Sequence, residues 1–118
     1  MSFEVVSDVF WTHLDSVKLL NAFHIVLLMD ITYKTNKYML SMLEIIGVTS
    51  TRLTFSVACV LLSNKRENNF VWALEKLKGL LLTNDVHLLV IICDRDLTLI
   101  NTINIIFPQG ACYVDFHQ

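Results

Sequence analysis

Residues 24–38 read HIVLLMDITYKTNKY, an apolar run that meets a carboxylate. The five residues Ile25–Met29 are all apolar, which is typical of a strand buried on both faces of a sheet. Asp30 follows where this strand is predicted to end. Aspartates are common in the turns after strands, so Asp30 has an ordinary structural explanation. The other explanation is that a rigid strand holds this charge at the edge of a functional site.

A second apolar run also ends in an aspartate. Residues 87–94 read HLLVIICD, so Asp94 follows the predicted strand Leu88–Cys93. Between the two runs, residues 39–63 form two strand-like segments around the turn TSTR, which predicts an antiparallel hairpin. The apolar face of the second of these strands is predicted to consist of Leu53, Phe55, Val57, Cys59 and Leu61.

Helical patterns follow the hairpin and the second apolar run. Residues 67–81, ENNFVWALEKLKGLL, have apolar residues at helical spacing, and Asn68 or Asn69 is the predicted N-cap. Residues 97–107 repeat the pattern, and Asp96 is predicted to cap this last helix. The predicted buried stripes are Phe70, Leu74, Leu77 and Leu81 in the first helix and Leu97, Ile100, Ile103 and Phe107 in the second.

The order of these elements predicts one α/β domain with a mixed sheet. A lead-in of one strand and one helix in residues 1–22 precedes the elements of residues 23–118. The usual right-handed crossover makes the strand before Asp94 a parallel neighbour of the strand before Asp30. Continuous apolar strands also predict helices on both faces of the sheet. The expected fold is ribonuclease-H-like, with an antiparallel hairpin and parallel strands, and incomplete at its C-terminus.

In this arrangement Asp30 and Asp94 lie at the same end of adjacent parallel strands. Open α/β sheets bind ligands at the carboxyl ends of their strands. Neighbouring carboxylates repel each other unless a cation lies between them, and Mg²⁺ commonly binds one or two protein carboxylates. Paired metal ions support the cleavage and transfer of phosphodiesters. The pattern indicates a candidate metal site, while turn formation remains the alternative explanation of each aspartate.

Composition excludes several other classes of protein. The chain is 54% hydrophobic and 17% charged, with 3 Gly and 1 Pro, which argues against disorder. No apolar window approaches the roughly 18 to 20 residues of a membrane-spanning helix, and no signal peptide is apparent. The formal net charge of −2 gives no general attraction for nucleic acid. Glycine-rich phosphate loops are absent, and the three cysteines are expected to be free thiols.

Four ordered blocks of the sequence resemble the Mutator-like element (MULE) transposase domain. They are MDITYKTNKY, GVTSTRLTFSVA, ENNFVWALEKLKGLL and DRDLTLINTINIIFP. The resemblance covers most of the chain and extends to plant proteins related to the far-red-impaired-response transcription regulators. It implies a ribonuclease-H-like fold with a DDE triad that binds Mg²⁺ or Mn²⁺ and cleaves and transfers DNA strands. It also implies DNA as the partner and the nucleus as the location.

The resemblance places Asp30 on the first acid of the triad and Asp94 on the second, so both are expected to bind the metal. The third acid of the family is a glutamate from a later helix, and no glutamate occurs in the 24 residues after Asp94. Asp115 lies in a strand-like segment and does not replace it. We therefore expect a fragment or domesticated derivative of a transposase core that is inactive alone and needs other regions to bind DNA.

Three functions stay open at this point. The first is a metal-dependent DNA transposase core that obtains its third acid from a longer chain. The second is a non-catalytic, DNA-associated regulator of transcription of the far-red-impaired-response-related type. The third is an unrelated α/β binding domain, such as a receiver-like module with an acidic pocket, which the resemblance disfavours.

Overall fold

Six strands and three helices are present in a computed structural model that describes residues 8–22, 25–32, 40–64, 66–81, 90–93, 96–108 and 111–114. The elements are β1 (Val9–Trp11), α1 (Leu14–Ala22), β2 (Ile25–Thr32), β3 (Ser41–Thr49), β4 (Thr54–Leu62), α2 (Glu67–Leu80), β5 (Val90–Cys93), α3 (Leu97–Ile106) and β6 (Ala111–Val114). The predicted order of elements is confirmed, and a further strand, β6, follows α3.

The six strands of these ranges form one mixed sheet in the order β1-β4-β3-β2-β5-β6. The pairs β1–β4, β4–β3 and β3–β2 are antiparallel, whereas β2–β5 and β5–β6 are parallel. The antiparallel hairpin and the parallel pairing of the two apolar strands were both predicted, and both are confirmed. Strand β2 is therefore the element where the antiparallel part of the sheet meets the parallel part.

The two faces of the sheet differ in how deeply they are buried. In β2, Leu27 and Met29 are 0% and 2% exposed, while Val26 and Leu28 between them keep part of their surface accessible. The same alternation runs along the whole of β3. One side of the sheet is thus the interior of the protein, because side chains alternate between the two faces of a strand.

All three helices of the described ranges contribute to that one interior, so the prediction of helices on both faces is wrong for this part of the chain. Their buried residues in the common core are Leu20 in α1, Phe70, Ala73, Leu74 and Leu77 in α2, and Leu99, Ile103 and Ile106 in α3. The helices also contact one another. Asn21 Nδ2 donates to the Leu80 carbonyl at 2.8 Å, and Lys78 Nζ donates to the Ile106 carbonyl at 3.2 Å.

We call the other side of the sheet the open face. In the central strands its residues are Val26, Leu28, Asp30 and Thr32 of β2, Met42, Glu44, Ile46 and Val48 of β3, and Val90 and Ile92 of β5. None of these side chains is fully buried. The sequence could not distinguish this sheet from one covered on both faces, because both have apolar residues at consecutive strand positions.

A β-bulge changes the predicted face of β4. Ile45 pairs with Ala58 and Ile46 pairs with Ser56, so Val57 is an extra residue on the β4 side. Val57 and Ala58 are both buried, and the side-chain alternation shifts between them. The prediction that Phe55, Cys59 and Leu61 share one face is therefore wrong. Cys59 and Leu61 lie opposite Glu44 and Met42 on the open face, whereas Phe55 lies opposite Gly47 on the inward face. The Thr12 hydroxyl donates to the Val57 carbonyl at 2.6 Å.

The helix caps were predicted with mixed success. Asp96 is the N-cap of α3, where its carboxylate accepts a hydrogen bond from the Leu99 amide at 3.1 Å, as predicted. Helix α2 instead has Arg66 as its N-cap without a side-chain hydrogen bond, so the predicted asparagine cap is wrong.

The buried stripes of α2 and α3 differ from the predicted ones at one end each, because Leu97 is 73% exposed and Leu81 is only partly buried. None of the helices in the described ranges has the length and apolar character needed to span a bilayer.

The lead-in strand is fastened to the rest of the domain through Asp8. Its carboxylate accepts hydrogen bonds from the Ser63 amide at 2.8 Å, the Ser63 hydroxyl at 3.0 Å and Asn69 Nδ2 at 2.8 Å. Asn69 is therefore used in this tertiary contact instead of as a cap. Phe10 also meets Trp72 edge-on, with ring centroids 6.4 Å apart. Residues 8–22 thus belong to the same sheet and core as the elements that follow.

The difference between the two faces can be tested with two adjacent leucines. We expect Leu27→Ala to lower the free energy of unfolding by about 3 kcal/mol, because it leaves a cavity in the interior. We expect Leu28→Ala to cost about 1 kcal/mol or less, because Leu28 is already partly in contact with water. Urea unfolding followed by circular dichroism at low protein concentration measures both. Equal costs would mean that both faces are covered.

Removing the Asp8 carboxylate tests the attachment of the lead-in. We expect Asp8→Ala to lower the free energy of unfolding by about 2 kcal/mol, since three donors lose a charged acceptor. Asp15→Ala is the matched control, because Asp15 is exposed and lies 3.7 Å from His13 in a solvated pair. Thermal unfolding of both variants gives the comparison. A loss at Asp8 no greater than that at Asp15 would contradict the assignment.

Candidate functional site

Asp30 lies inside a strand and not at its end. Strand β2 continues through Ile31 and Thr32, which pair with Leu43 and Met42 of β3. The predicted end of the strand at Met29 is therefore wrong. The reason is tertiary, because β3 is long enough to supply backbone partners for β2 beyond the carboxylate. Asp30 itself is exposed on the open face.

On its other side β2 pairs in parallel with β5. Among the described residues, the pair nearest to Asp30 in this ladder is Met29 with Cys93. Asp30 and Asp94 are the next residues along the two strands. Asp94 lies outside the described residues, so its predicted proximity to Asp30 stays a prediction. The structure shows that Met29 and Cys93, the residues directly before the two aspartates, lie opposite each other in the parallel pair.

Glu44 is a carboxylate that sequence reasoning did not single out. It is the direct partner of Asp30 in the antiparallel β2–β3 pair, so both side chains project from the open face. Directly opposed residues have Cβ atoms about 5 Å apart, and like charges in such pairs destabilise a sheet. We call Asp30 and Glu44 the acidic row. A signal was present in the sequence, because Glu44 is the one charged residue within the apolar strand β3.

Cys59 lies beside the acidic row on the next strand. It pairs with Glu44 across β3 and β4 and is partly buried. Burial, and to a smaller extent the negative charge of Glu44, raise the pKa of the Cys59 thiol. The thiol is therefore mainly protonated at neutral pH. Trp11 of β1 pairs with Cys59 in turn and is 58% exposed at this end of the row.

A shallow depression of about 280 Å³ adjoins Glu44 on the open face. Its walls are Glu44, Ile46, Thr54, Phe55 and Ser56. The bulge in β4 shapes this depression, because it changes which β4 residues lie opposite Ile46. The depression offers two hydroxyl groups and one carboxylate to water, and it is open instead of enclosed.

The chemistry of the acidic row fits a hard divalent cation. Asp30 and Glu44 supply carboxylate oxygens, which Mg²⁺ and Mn²⁺ prefer as ligands, and Mg²⁺ often uses only one or two protein carboxylates. Within the ranges that the structure describes, no group of three or more His, Cys, Asp or Glu side chains could hold a metal ion. A larger ligand set would therefore need a residue outside those ranges.

Comparison with known protein families identifies the domain. The family model of the MULE transposase domain matches residues 26–117. The chain belongs to the MULE transposase domain family. The match includes both aspartates of the candidate site and every strand of the sheet except β1. Comparison of the chain with curated proteins and with solved structures gives no match.

Membership of the MULE family confirms the resemblance carried by the four sequence blocks. It also removes the unrelated α/β binding domain from the three functions that the sequence left open. The matched region starts inside β2 and therefore contains the hairpin, both parallel pairs and both aspartates. The origin of the chain is thus related to Mutator-like transposases.

The influence of Glu44 on Cys59 can be measured by alkylation. We expect Glu44→Gln to increase the rate at which iodoacetamide modifies Cys59 at pH 8 by about two- to threefold, because removing the charge lowers the thiol pKa and increases the thiolate fraction. Mass spectrometry of the Cys59 peptide gives the rate. Glu75→Gln, at an exposed position of α2, is the control. An unchanged rate in Glu44→Gln would show that the two groups do not interact.

Proposed function

We propose that this chain is a ribonuclease-H-like portion of the catalytic core of a Mutator-like DNA transposase, or a domesticated derivative of one. The topology of the sheet supports the ribonuclease-H-like assignment. Strands β2, β3 and β4 form an antiparallel meander, and β5 and β6 extend the sheet in parallel on the other side of β2. Membership of the MULE family supports a transposase origin.

The proposed site consists of Asp30 and Asp94, as the first two acids of a DDE triad. The observation that carries this assignment is the register of the central parallel pair, in which Met29 lies opposite Cys93. Each aspartate follows one of these two residues in the chain. Parallel strands in register deliver their next residues to the same edge of the ladder, which is where open α/β sheets bind ligands.

Asp30 and Asp94 would hold Mg²⁺ or Mn²⁺, and Glu44 adds negative charge beside them. A bound divalent metal supplies Lewis acidity for phosphodiester chemistry, activating the attacking oxygen and stabilising the leaving oxygen. The chain itself contributes by holding the carboxylate of Asp30 in a fixed position. Strand β2 is paired on both sides up to Met29, so the Asp30 backbone is held rigidly while its side chain remains exposed.

We further propose that the 118-residue chain does not transfer DNA strands by itself. No glutamate follows Asp94 within these 118 residues, whereas the family's triad ends in a glutamate. Two carboxylates can hold a metal ion but supply only part of the ligand set for a two-metal reaction. The formal net charge of −2 also supports the view that DNA binding needs a local patch or additional segments.

The second candidate is a non-catalytic, DNA-associated regulator of transcription that acts in the nucleus. Membership of the MULE family supports this candidate as well as the first, because regulation uses the fold without requiring a complete triad. The two candidates differ in one respect. A transposase core requires both aspartates, whereas a regulator uses the fold and tolerates their replacement.

Metal binding tests the proposed pair. We expect Mn²⁺, followed by its effect on water proton relaxation, to bind the purified chain. Asp30→Asn and Asp94→Asn should each weaken the affinity about tenfold, or about 1.4 kcal/mol, because each removes one carboxylate ligand. Asp15→Asn is the matched control, since Asp15 is an exposed aspartate on α1. Equal Mn²⁺ affinity in all four proteins would refute the shared site.

Activity is tested on supercoiled plasmid DNA with Mg²⁺ or Mn²⁺. We expect no nicking or strand transfer by the chain alone. Metal-dependent nicking that disappears in Asp30→Ala would contradict this expectation and would establish a working nuclease site without the third acid. Nicking that persists in Asp30→Ala would be attributed to a contaminating enzyme.

A further inference from the structure

Six apolar side chains on the open face form a regular array over three adjacent strands. The array consists of Ile46 and Val48 of β3, Val26 and Leu28 of β2, and Val90 and Ile92 of β5, and we call it the apolar grid. The pairing register makes two rows of three. Val26 lies between Val48 and Val90, and Leu28 lies between Ile46 and Ile92.

The apolar grid remains partly accessible to water. None of its six side chains is fully buried, whereas Leu27, Ile45 and Ile91, on the same three strands but facing the helices, are 0% exposed. Contiguous apolar patches on a protein surface usually mark an interaction site. The grid consists of the residue types that normally lie inside packed sheets, so another flat apolar surface could pack against it.

Opposite charges flank the grid along β3. Glu44 and Asp30 lie at one end, directly after the row that contains Ile46 and Leu28. At the other end β3 enters the turn to β4, which carries the exposed residue Arg52. Glu44 precedes Gly47 of β3 by three residues, and Ser50, the first residue after β3, follows Gly47 by three. The turn formed by Ser50 and Thr51 leads into Arg52.

We propose that this face binds a second copy of the chain, with the two sheets packed face to face. The two-fold axis lies midway between the two sheets and runs parallel to them, at right angles to the strands. It passes over Gly47 of both copies. This rotation reverses the strand direction, so Glu44 of each copy faces the Ser50 position of the other. The long Arg52 side chain beside it then reaches Glu44 of the other copy. Each dimer contains this contact twice, as an isologous interface requires.

The other face-to-face orientation is disfavoured by charge. An axis parallel to the strands would place the two acidic rows against each other and bring four carboxylates together. Like charges that face each other across an interface are strongly destabilising, and they suppress that geometry. The perpendicular axis keeps the grid-to-grid contact and pairs each acidic row with a cation. Packed sheets in such a sandwich lie about 10 Å apart, which the grid side chains of two copies fill.

Arg52 is the last residue of the hairpin loop that is closed by the hydrogen bond from the Thr49 amide to the Leu53 carbonyl. Arg52 has φ 66°, in the left-handed region that glycine adopts more easily than other residues. The turn is held by the Arg52 amide, which donates to the Thr49 carbonyl at 2.9 Å, and by the Leu53 amide, which donates to Thr49 Oγ1 at 3.1 Å. This conformation follows from the hairpin loop, because the residue after the type I turn of a three-residue loop is commonly left-handed, and it leaves Arg52 exposed beside the end of β3.

The proposed dimer contact uses Glu44 and Arg52, so it can be tested without changing either aspartate of the proposed metal site. Sedimentation equilibrium of the chain, from about 1 to about 200 µM, should show a monomer–dimer equilibrium. Glu44→Arg and Arg52→Glu should each weaken dimerisation at least about tenfold, because each places like charges in contact. Circular dichroism verifies that both variants are folded. Glu75→Arg on α2 makes the same charge change away from the face and should dimerise like the original chain.

Combining the two charge changes gives the decisive measurement. An equimolar mixture of Glu44→Arg and Arg52→Glu chains should form heterodimers, because each contact then pairs a positive with a negative side chain. The chain that carries both substitutions should again form homodimers. Arg52→Gly removes the cation and is compatible with the left-handed backbone, so this chain should be fully folded and should dimerise more weakly than the original chain.

Three outcomes would overturn the proposal. The original chain could remain monomeric throughout the concentration range, which would assign the face to another protein or to a segment of a longer chain. Both single variants could dimerise as strongly as the original chain. The mixture could fail to restore association although both chains are folded. Any of these would exclude the reciprocal contact between Glu44 and Arg52.

Discussion

The structure depends on the double pairing of β2. This strand is antiparallel to β3 on one side and parallel to β5 on the other, and its inward side chains are almost completely buried. Its backbone is therefore fixed by two ladders, and the register of both ladders follows from the alternation of its side chains, since a slip of one residue would turn Leu27 and Met29 outward. The position of Asp30 is a direct consequence. It directly follows Met29, which is paired on both sides, and it is itself paired with Glu44 of β3.

One-sided coverage of the sheet explains why so many unusual features share a surface. The helices cover only the inward face in the described part of the chain, so the acidic row, Cys59 and the apolar grid all lie on the other face. Apolar and acidic groups are close together there because the strand pairing aligns them in successive rows. The same arrangement supports two proposals of different kinds, a metal site at Asp30 and Asp94 beside Glu44 and a protein contact at the grid.

Much of the fold could be predicted from the sequence, and the failures have physical causes. The parallel pairing of the apolar strands follows from their order and from the handedness of crossovers, and the Asp96 cap follows from a local hydrogen bond. The end of β2 depends on the length of β3, and the bulge at Val57 depends on the partner strand. Asn69 contacts Asp8, which is 61 residues away, so no local rule for caps could assign it. The site was predicted only in part, because Glu44 becomes relevant through the register that places it opposite Asp30.

A single electrostatic problem connects the metal site with the dimer. Glu44 and Asp30 are directly opposed across the β2–β3 pair at the edge of an apolar surface, and like charges in such pairs are destabilising. A positive charge relieves this repulsion, and a divalent cation or Arg52 of a second copy can provide it. In the two proposals both ligands would place positive charge beside the same row, so binding of one would lower the affinity for the other, and this coupling would be reciprocal by thermodynamic necessity. A face-to-face dimer would then be a state in which the proposed metal site is covered and its charge neutralised, while the metal-bound state would leave the apolar grid exposed.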